Sequence, residues 1–228
     1  MKMFLTSNGI NNPVLVSAFF DFLGSDPSNF DVAFIANASS IFEGDKRWLV
    51  EAMHNFSTHA QWRRFDTIDV LGLPPEIQYR RLSMANIIVV WGGSEQYLAY
   101  ALRQCGLADK LKTMLEDKIW VGCSAGSMVV GGDIPYRMSL QIYNKPIPEA
   151  YQNSKLLELV DVAIFPHYGS SEYPGTNDEN IETHVDFLGR RAYAIDDNSA
   201  LIVKGDEIQI VGSPGTSRSF ADPTMNRE

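Results

Sequence analysis

The sequence predicts an α/β fold, a doubly wound and mostly parallel sheet, and two observations predict it. Apolar runs of strand length alternate with helical patterns through most of the 228 residues. The runs are apolar throughout, as in residues 32–36 (VAFIA) and 87–91 (IIVVW), which suits strands covered by helices on both faces. Chemistry-bearing residues follow directly on confident strands at Gly92-Gly93, Ser124 and Pro166-His167. In open α/β sheets the ligand site lies beyond the carboxyl ends of the strands.

Taken in order, Phe4-Leu5 reads as a first short strand. Asn12-Pro13 supplies an N-cap and a proline at the first helical position, for a helix ending near Gly24. Residues 32–36 form the second strand, and Trp48, Leu49, Ala52, Met53 and Phe56 follow at helical spacing. Residues 66–71 (DTIDVL) suggest a third strand, and Pro74-Pro75 opens a short helix. After the strand at 87–91, Ser94 caps a helix whose apolar face is Tyr97, Leu98, Ala101, Leu102 and Cys105, with Gly106 at its end. Strands are expected at 119–123 and 160–165, and a helix at 180–188. Short strands at 192–195, 199–203 and 207–211 are joined by Asp-Asn and Gly-Asp turns. No linker divides the chain, so one catalytic domain is expected over residues 1–212, with a polar, mobile tail over 213–228.

The composition excludes several classes. Hydrophobic residues make up 45% and charged residues 21%, which is a globular balance, and the net charge is −9. The basic residues form isolated pairs such as Arg63-Arg64 and Arg190-Arg191, so neither nucleic acid nor an anionic membrane is an expected partner. Cys105 and Cys123 are the two cysteines, too few for a disulfide framework or a zinc site. The start MKMFLTS has too short an apolar run for a signal peptide, and no stretch reaches the ~18 apolar residues of a membrane span. A reduced, cytoplasmic setting is expected, with no metal and no cofactor.

Residues 118–132 (KIWVGCSAGSMVVGG) carry the most chemistry. Gly-x-Ser-x-Gly between a strand and a helix is the layout of a nucleophile elbow, which lifts the Ser124 hydroxyl clear of the sheet at a helix N-terminus. A serine hydroxyl needs a neighbouring base to attack a carbonyl. Of the four histidines, His54, His59 and His184 lie in helical patterns, whereas His167 follows a buried strand and a proline. The base needs an orienting carboxylate, for which Asp133, Asp161, Asp196 and Asp197 are candidates. Strand alternation lets only one of Asp196 and Asp197 face the histidine. Gly92-Gly93 reads as a donor loop whose bare N–H joins that of Ala125 in an oxyanion hole, and Cys123 reads as a core residue.

In these residues the chain resembles the S51 serine peptidases, the family of peptidase E (aspartyl dipeptidase) and cyanophycinase. The matching segments are LTSNG, VAFIANAS, VVWGGSEQYLAYALRQCGL, VGCSAGSMVVGG, VAIFPHYG and YAIDDNSALIV, in family order to about residue 212. The resemblance implies a flavodoxin-like three-layer sandwich similar to class I glutamine amidotransferases, with serine in place of their cysteine. It implies Ser124 as nucleophile and His167 as base. For the third member it implies Asp133 or the late Asp197 (or Asp196), and Asp197 is preferred because it follows a strand end.

One departure concerns specificity. Family members that prefer N-terminal aspartate carry an arginine in the loop after the histidine; here that loop, SSEYPGTNDENIE, is acidic and has no arginine or lysine. The expectation is a serine-type amide hydrolase acting on short peptides through a Ser-His-Asp triad, and not strictly on Asp-X. A homodimer is left open. Two other readings stand beside it: an esterase of the α/β-hydrolase type, and a non-catalytic relative that binds a peptide or metabolite in the same cleft. The first is disfavoured by residue order, since that fold places the acid before the histidine.

Overall fold

The computed structural model describes residues 1–212 and 217–220. In chain order its elements are β1 (Lys2–Thr6), α1 (Pro13–Leu23), β2 (Asp31–Ile35), α2 (Arg47–Thr58), β3 (Arg64–Thr67), α3 (Pro75–Met84), β4 (Ile87–Val90) and α4 (Glu95–Gln104). Then come α5 (Ala108–Met114), β5 (Ile119–Cys123), α6 (Ala125–Met128), α7 (Tyr136–Tyr143), α8 (Glu149–Gln152), β6 (Ala163–Pro166) and α9 (Asp178–Leu188). The chain continues with β7 (Ala192–Ile195), β8 (Ser199–Lys204), β9 (Glu207–Gly212) and β10 (Arg218–Phe220).

The large sheet has the order β3-β2-β4-β5-β1-β8-β9. Its first five strands run parallel, and β8 and β9 complete the β1 edge in antiparallel pairing. Side chains alternate between two cores, as a period of two requires. Met3, Leu5, Ala33, Ile35, Ile88 and Val90 face one side, among residues of α4 and α6. Phe4, Val32, Phe34, Ile87 and Val89 face the other, against Phe19 and Phe22 of α1 and Phe56 of α2. This three-layer α/β arrangement is the fold that the sequence predicts.

Local signals act as read. Asn12 caps α1 by accepting the Leu15 N–H, and Gly24 ends it in a left-handed turn. Ser94 caps α4 by accepting the Tyr97 N–H at 3.2 Å.

Four readings are corrected. The third strand lies at Arg64–Thr67 rather than 66–71. Beyond Thr67 the Asn37 side chain takes over the pairing, accepting the Val70 N–H at 3.1 Å and donating to Asp69 at 2.7 Å. The strand expected at 160–165 is Ala163–Pro166, because the Val160 N–H is used by the Val130 carbonyl. This strand also does not join the large sheet: β6, β7 and β10 form a separate three-stranded sheet in the order β10-β7-β6. Trp48, expected in the core face of its helix, is 44% exposed and borders a cleft. Of the stretch expected as a tail, Arg218–Phe220 is a strand antiparallel to β7, and residues 213–216 and 221–228 lie outside the described residues.

Candidate active site

The parallel register sets β1, β4 and β5 side by side, with Val90 opposite Gly122 and Thr6 opposite Cys123. The segments that leave these strands therefore meet at one rim. Ser124 sits there with φ 50° and ψ −113°, a left-handed backbone that a non-glycine residue adopts only when its surroundings force it. Its N–H donates to the Thr6 carbonyl at 2.9 Å, and the Ser127 hydroxyl donates to the same oxygen at 2.7 Å. Gly126 is required by close approach, since a Cβ there would lie 1.9 Å from the Val90 carbonyl oxygen. The elbow is thus pinned to β1 on one side and pressed on β4 on the other.

His167 follows β6 and also has a positive φ, 63°. Its backbone N–H donates to the Ser7 hydroxyl at 2.9 Å. Its carbonyl accepts the Thr176 hydroxyl at 2.6 Å, and its ring stacks on Tyr173 with centroids 4.7 Å apart. So held, its Nε2 lies 3.0 Å from Ser124 Oγ and its Nδ1 lies 2.7 Å from Asp197 Oδ1. An ionised carboxylate only accepts, so Nδ1 carries the proton and Nε2 is left to accept from the serine hydroxyl.

The other acidic candidates are engaged elsewhere. Asp196 points away from the histidine, as alternation demands; its carboxyl accepts the Asn198 N–H at 2.9 Å and the Ser217 N–H at 3.3 Å. Asp133 accepts the Leu156 N–H at 3.0 Å, and Asp161 faces Arg190 at 3.5 Å.

Gly93 has φ 145°, and a Cβ on it would lie 2.0 Å from the Ala38 carbonyl oxygen, so only glycine fits this strip of backbone beside Ser124. The Ala125 N–H belongs to the first turn of α6, where a helix leaves its N–H groups without intrahelical partners. With four residues α6 is too short for a substantial macrodipole, so any anion stabilisation here comes from individual N–H groups. Cys123 is buried; its thiol donates to the Ser7 carbonyl at 3.3 Å, and burial pushes its pKa up to about 12. It packs as a core residue, as the sequence suggests.

These groups border a cleft of about 410 Å³. Several residues on its walls escaped the sequence reading: Ser7, Tyr173, the lysines Lys46 and Lys145, and the acidic Glu43, whereas Glu172 belongs to the loop already read as acidic. Lys46 Nζ donates to the Phe42 carbonyl at 2.7 Å, and Lys145 Nζ lies 5.4 Å from the centre of the Tyr173 ring. A larger hollow of about 510 Å³ lies beside β3, but its polar walls are committed: Asn37 binds Asp69, and Arg81 binds Asp66. Among the described residues no three His, Cys, Asp or Glu side chains cluster so as to hold a metal ion, and no helix is long and apolar enough to cross a membrane.

The model of peptidase family S51 matches residues 3–211. The chain belongs to peptidase family S51. Membership makes it a hydrolase of the serine-peptidase class. Among solved structures, a candidate peptidase E protein from Listeria monocytogenes EGD-e aligns with a TM-score of 0.70 at 22% identity, covering 92% of this chain and 96% of that one. A peptidase from an acI-B1 Actinobacterium aligns with a TM-score of 0.66 at 17% identity, covering 97% of this chain and 94% of that one. Both likenesses concern the three-layer fold. Comparison with curated proteins gave no match.

Proposed function

We propose that this S51 peptidase cleaves short peptides with Ser124 as nucleophile, His167 as general base and acid, and Asp197 as the orienting carboxylate. The unbroken chain of contacts from Ser124 Oγ to His167 Nε2 at 3.0 Å, and from Nδ1 to Asp197 at 2.7 Å, carries this reading. Ser124 Oγ bonds to the scissile carbonyl carbon as its proton passes to Nε2. The N–H groups of Gly93 and Ala125 stabilise the oxyanion. The C–N bond then breaks, and the imidazolium returns the proton to the leaving amine. Water, deprotonated by the same ring, releases the acid and restores the serine.

Strict selectivity for N-terminal aspartate is not expected. The loop after His167 brings Glu172 to the cleft and no cation, so a carboxylate side chain meets like charge from that wall. Lys145 enters the cleft from the segment after α7, and its position over Tyr173 suits the free carboxylate of a short peptide.

A fluorophosphonate probe that labels the wild-type protein at Ser124, with hydrolysis of X-Leu dipeptides, tests the reading. Ser124→Ala is expected to lose both, with turnover down by roughly 10³-fold or more. Absence of labelling in the wild type would favour a binding protein, and turnover confined to Asp-Leu would refute the specificity claim.

A further inference from the structure

Beside Ser124 the cleft continues into a small recess of about 30 Å³, bounded by Gly93, Ser124, Glu95, Met128, Ser139 and Tyr143. Glu95 is the first residue of α4 and is only 5% exposed. Its carboxyl accepts from the hydroxyl of Ser139, with the neutral Gln96 side chain close by. Burial raises its pKa, and burial, followed by the charge on Glu95, raises that of the nearby Tyr143 phenol. A place in the first turn of α4 favours an acidic side chain, but it does not account for a recess left open in front of that side chain. Lys145 lines both the recess and the cleft; it is exposed, and its ammonium lies 5.4 Å from the centre of the Tyr173 ring. Among the described residues no cation forms an ion pair with Glu95, so the recess presents a buried carboxyl with no positive charge bonded to it.

We infer that this recess receives an ammonium group of the substrate, with Glu95 as its counter-charge. The inference rests on the reading of Ser124 as the attacking group, because only then does the recess adjoin the residue whose carbonyl is attacked. Chemistry and size agree. A buried carboxylate gains most from a cation that also donates hydrogen bonds. Each water needs roughly 10–15 Å³ of such volume, so the recess takes a group of about two heavy atoms rather than a long side chain. Two sources offer that chemistry: the free α-amino group of the substrate, and a short basic side chain on the residue that supplies the carbonyl. A carboxylate in the same place would lie against Glu95, in keeping with the proposal that selectivity for aspartate is not strict.

Calorimetric binding to the Ser124→Ala protein separates this from the chemistry. Comparing Ala-Leu with N-acetyl-Ala-Leu reads the terminal amine. Comparing N-acetyl-diaminopropionyl-Leu with N-acetyl-Ala-Leu reads a side-chain ammonium. At least one comparison is expected to favour the ammonium by about tenfold, and adding Glu95→Gln is expected to erase that preference. Equal affinities in both comparisons, no binding of any peptide, or a preference that survives Glu95→Gln overturns the inference. Should Glu95→Gln fail to fold, the two comparisons with Glu95 in place still decide. A wild-type protein that hydrolyses none of these peptides, while Ser124→Ala keeps the preference, would overturn the peptidase reading and support the recess.

Discussion

The hydroxyl of Ser7 accepts the backbone N–H of His167 at 2.9 Å and donates to the Ile195 carbonyl at 2.6 Å. Ser7 leaves the end of β1 in the large sheet, whereas His167 and Ile195 belong to the ends of β6 and β7 in the small one. One side chain, 1% exposed, therefore fixes the position of the histidine relative to the sheet that carries Ser124. Ser7→Ala leaves both backbone groups without this partner, at a cost of about 1–3 kcal/mol. Steady-state kinetics are expected to show kcat reduced by roughly tenfold with KM changed less, since the loss falls on alignment rather than on binding.

Asp197 and Asp196 are neighbours in sequence with opposite assignments. Asp197→Asn removes the acceptor for His167 Nδ1–H and is expected to lower kcat by about 10³–10⁴-fold, because the wrong tautomer then faces Ser124. Asp196 supports the turn to Asn198 and the approach of Ser217, so Asp196→Asn is expected to lower the melting temperature by a few degrees and leave kcat within about tenfold. Parallel kinetics and thermal denaturation of the two variants check the pair; equal losses of kcat would contradict it.

Gly126→Ala would force a methyl group to within 1.9 Å of the Val90 carbonyl oxygen, with backbone on both sides of the clash. Overpacking of this kind costs on the order of 3 kcal/mol or more. Scanning calorimetry is expected to show a melting point lower by roughly 10 °C, or no folded protein.

Glu95 gives a pH-dependent stability with a definite sign. Burial holds its folded pKa above the unfolded value of about 4.3. Between those two values the native state binds more protons than the unfolded one, so stability falls as pH rises through the interval and then levels off. Glu95→Gln removes this term. Its melting temperature relative to the wild type is therefore expected to improve as pH is raised above about 4.5 and then to level off. Ser139 and Gln96 face the carboxyl as neutral groups. Tyr143 is pushed well above its ordinary value and stays neutral over this range, and Lys145 is present in both proteins. A constant difference between the two proteins across that range would contradict the account.

The parts of this molecule legible in the sequence are those encoded by neighbours. Asn12-Pro13, Ser94 and Gly24 act within one turn of where they stand, so their caps follow from residue type alone. The residue pattern of the elbow is likewise local, although what demands Gly126 is the Val90 carbonyl of β4 and what holds Ser124 is the Thr6 carbonyl of β1. The approach of His167 to Ser124 was readable because both follow strands, although the strand before His167 joins a different sheet from the one expected. Asp197 is preferred in the sequence for following a strand end, but Asp196 follows the same strand, and the Ser217 contact that engages Asp196 elsewhere comes from beyond β9. Ser7, Glu95, Lys46, Lys145 and Tyr173 were not legible, because each is an ordinary residue in its own segment. They acquire meaning from segments scattered from β1 to the loop after β6, which no spacing rule joins.

Because the hydroxyl and the imidazole ride on two sheets packed at a seam, the machinery is more fragile than the molecule. A slip of an ångström or so along that seam would part them while nearly every strand kept its partners. Warming or mild denaturant should thus silence hydrolysis well before circular dichroism reports any unfolding.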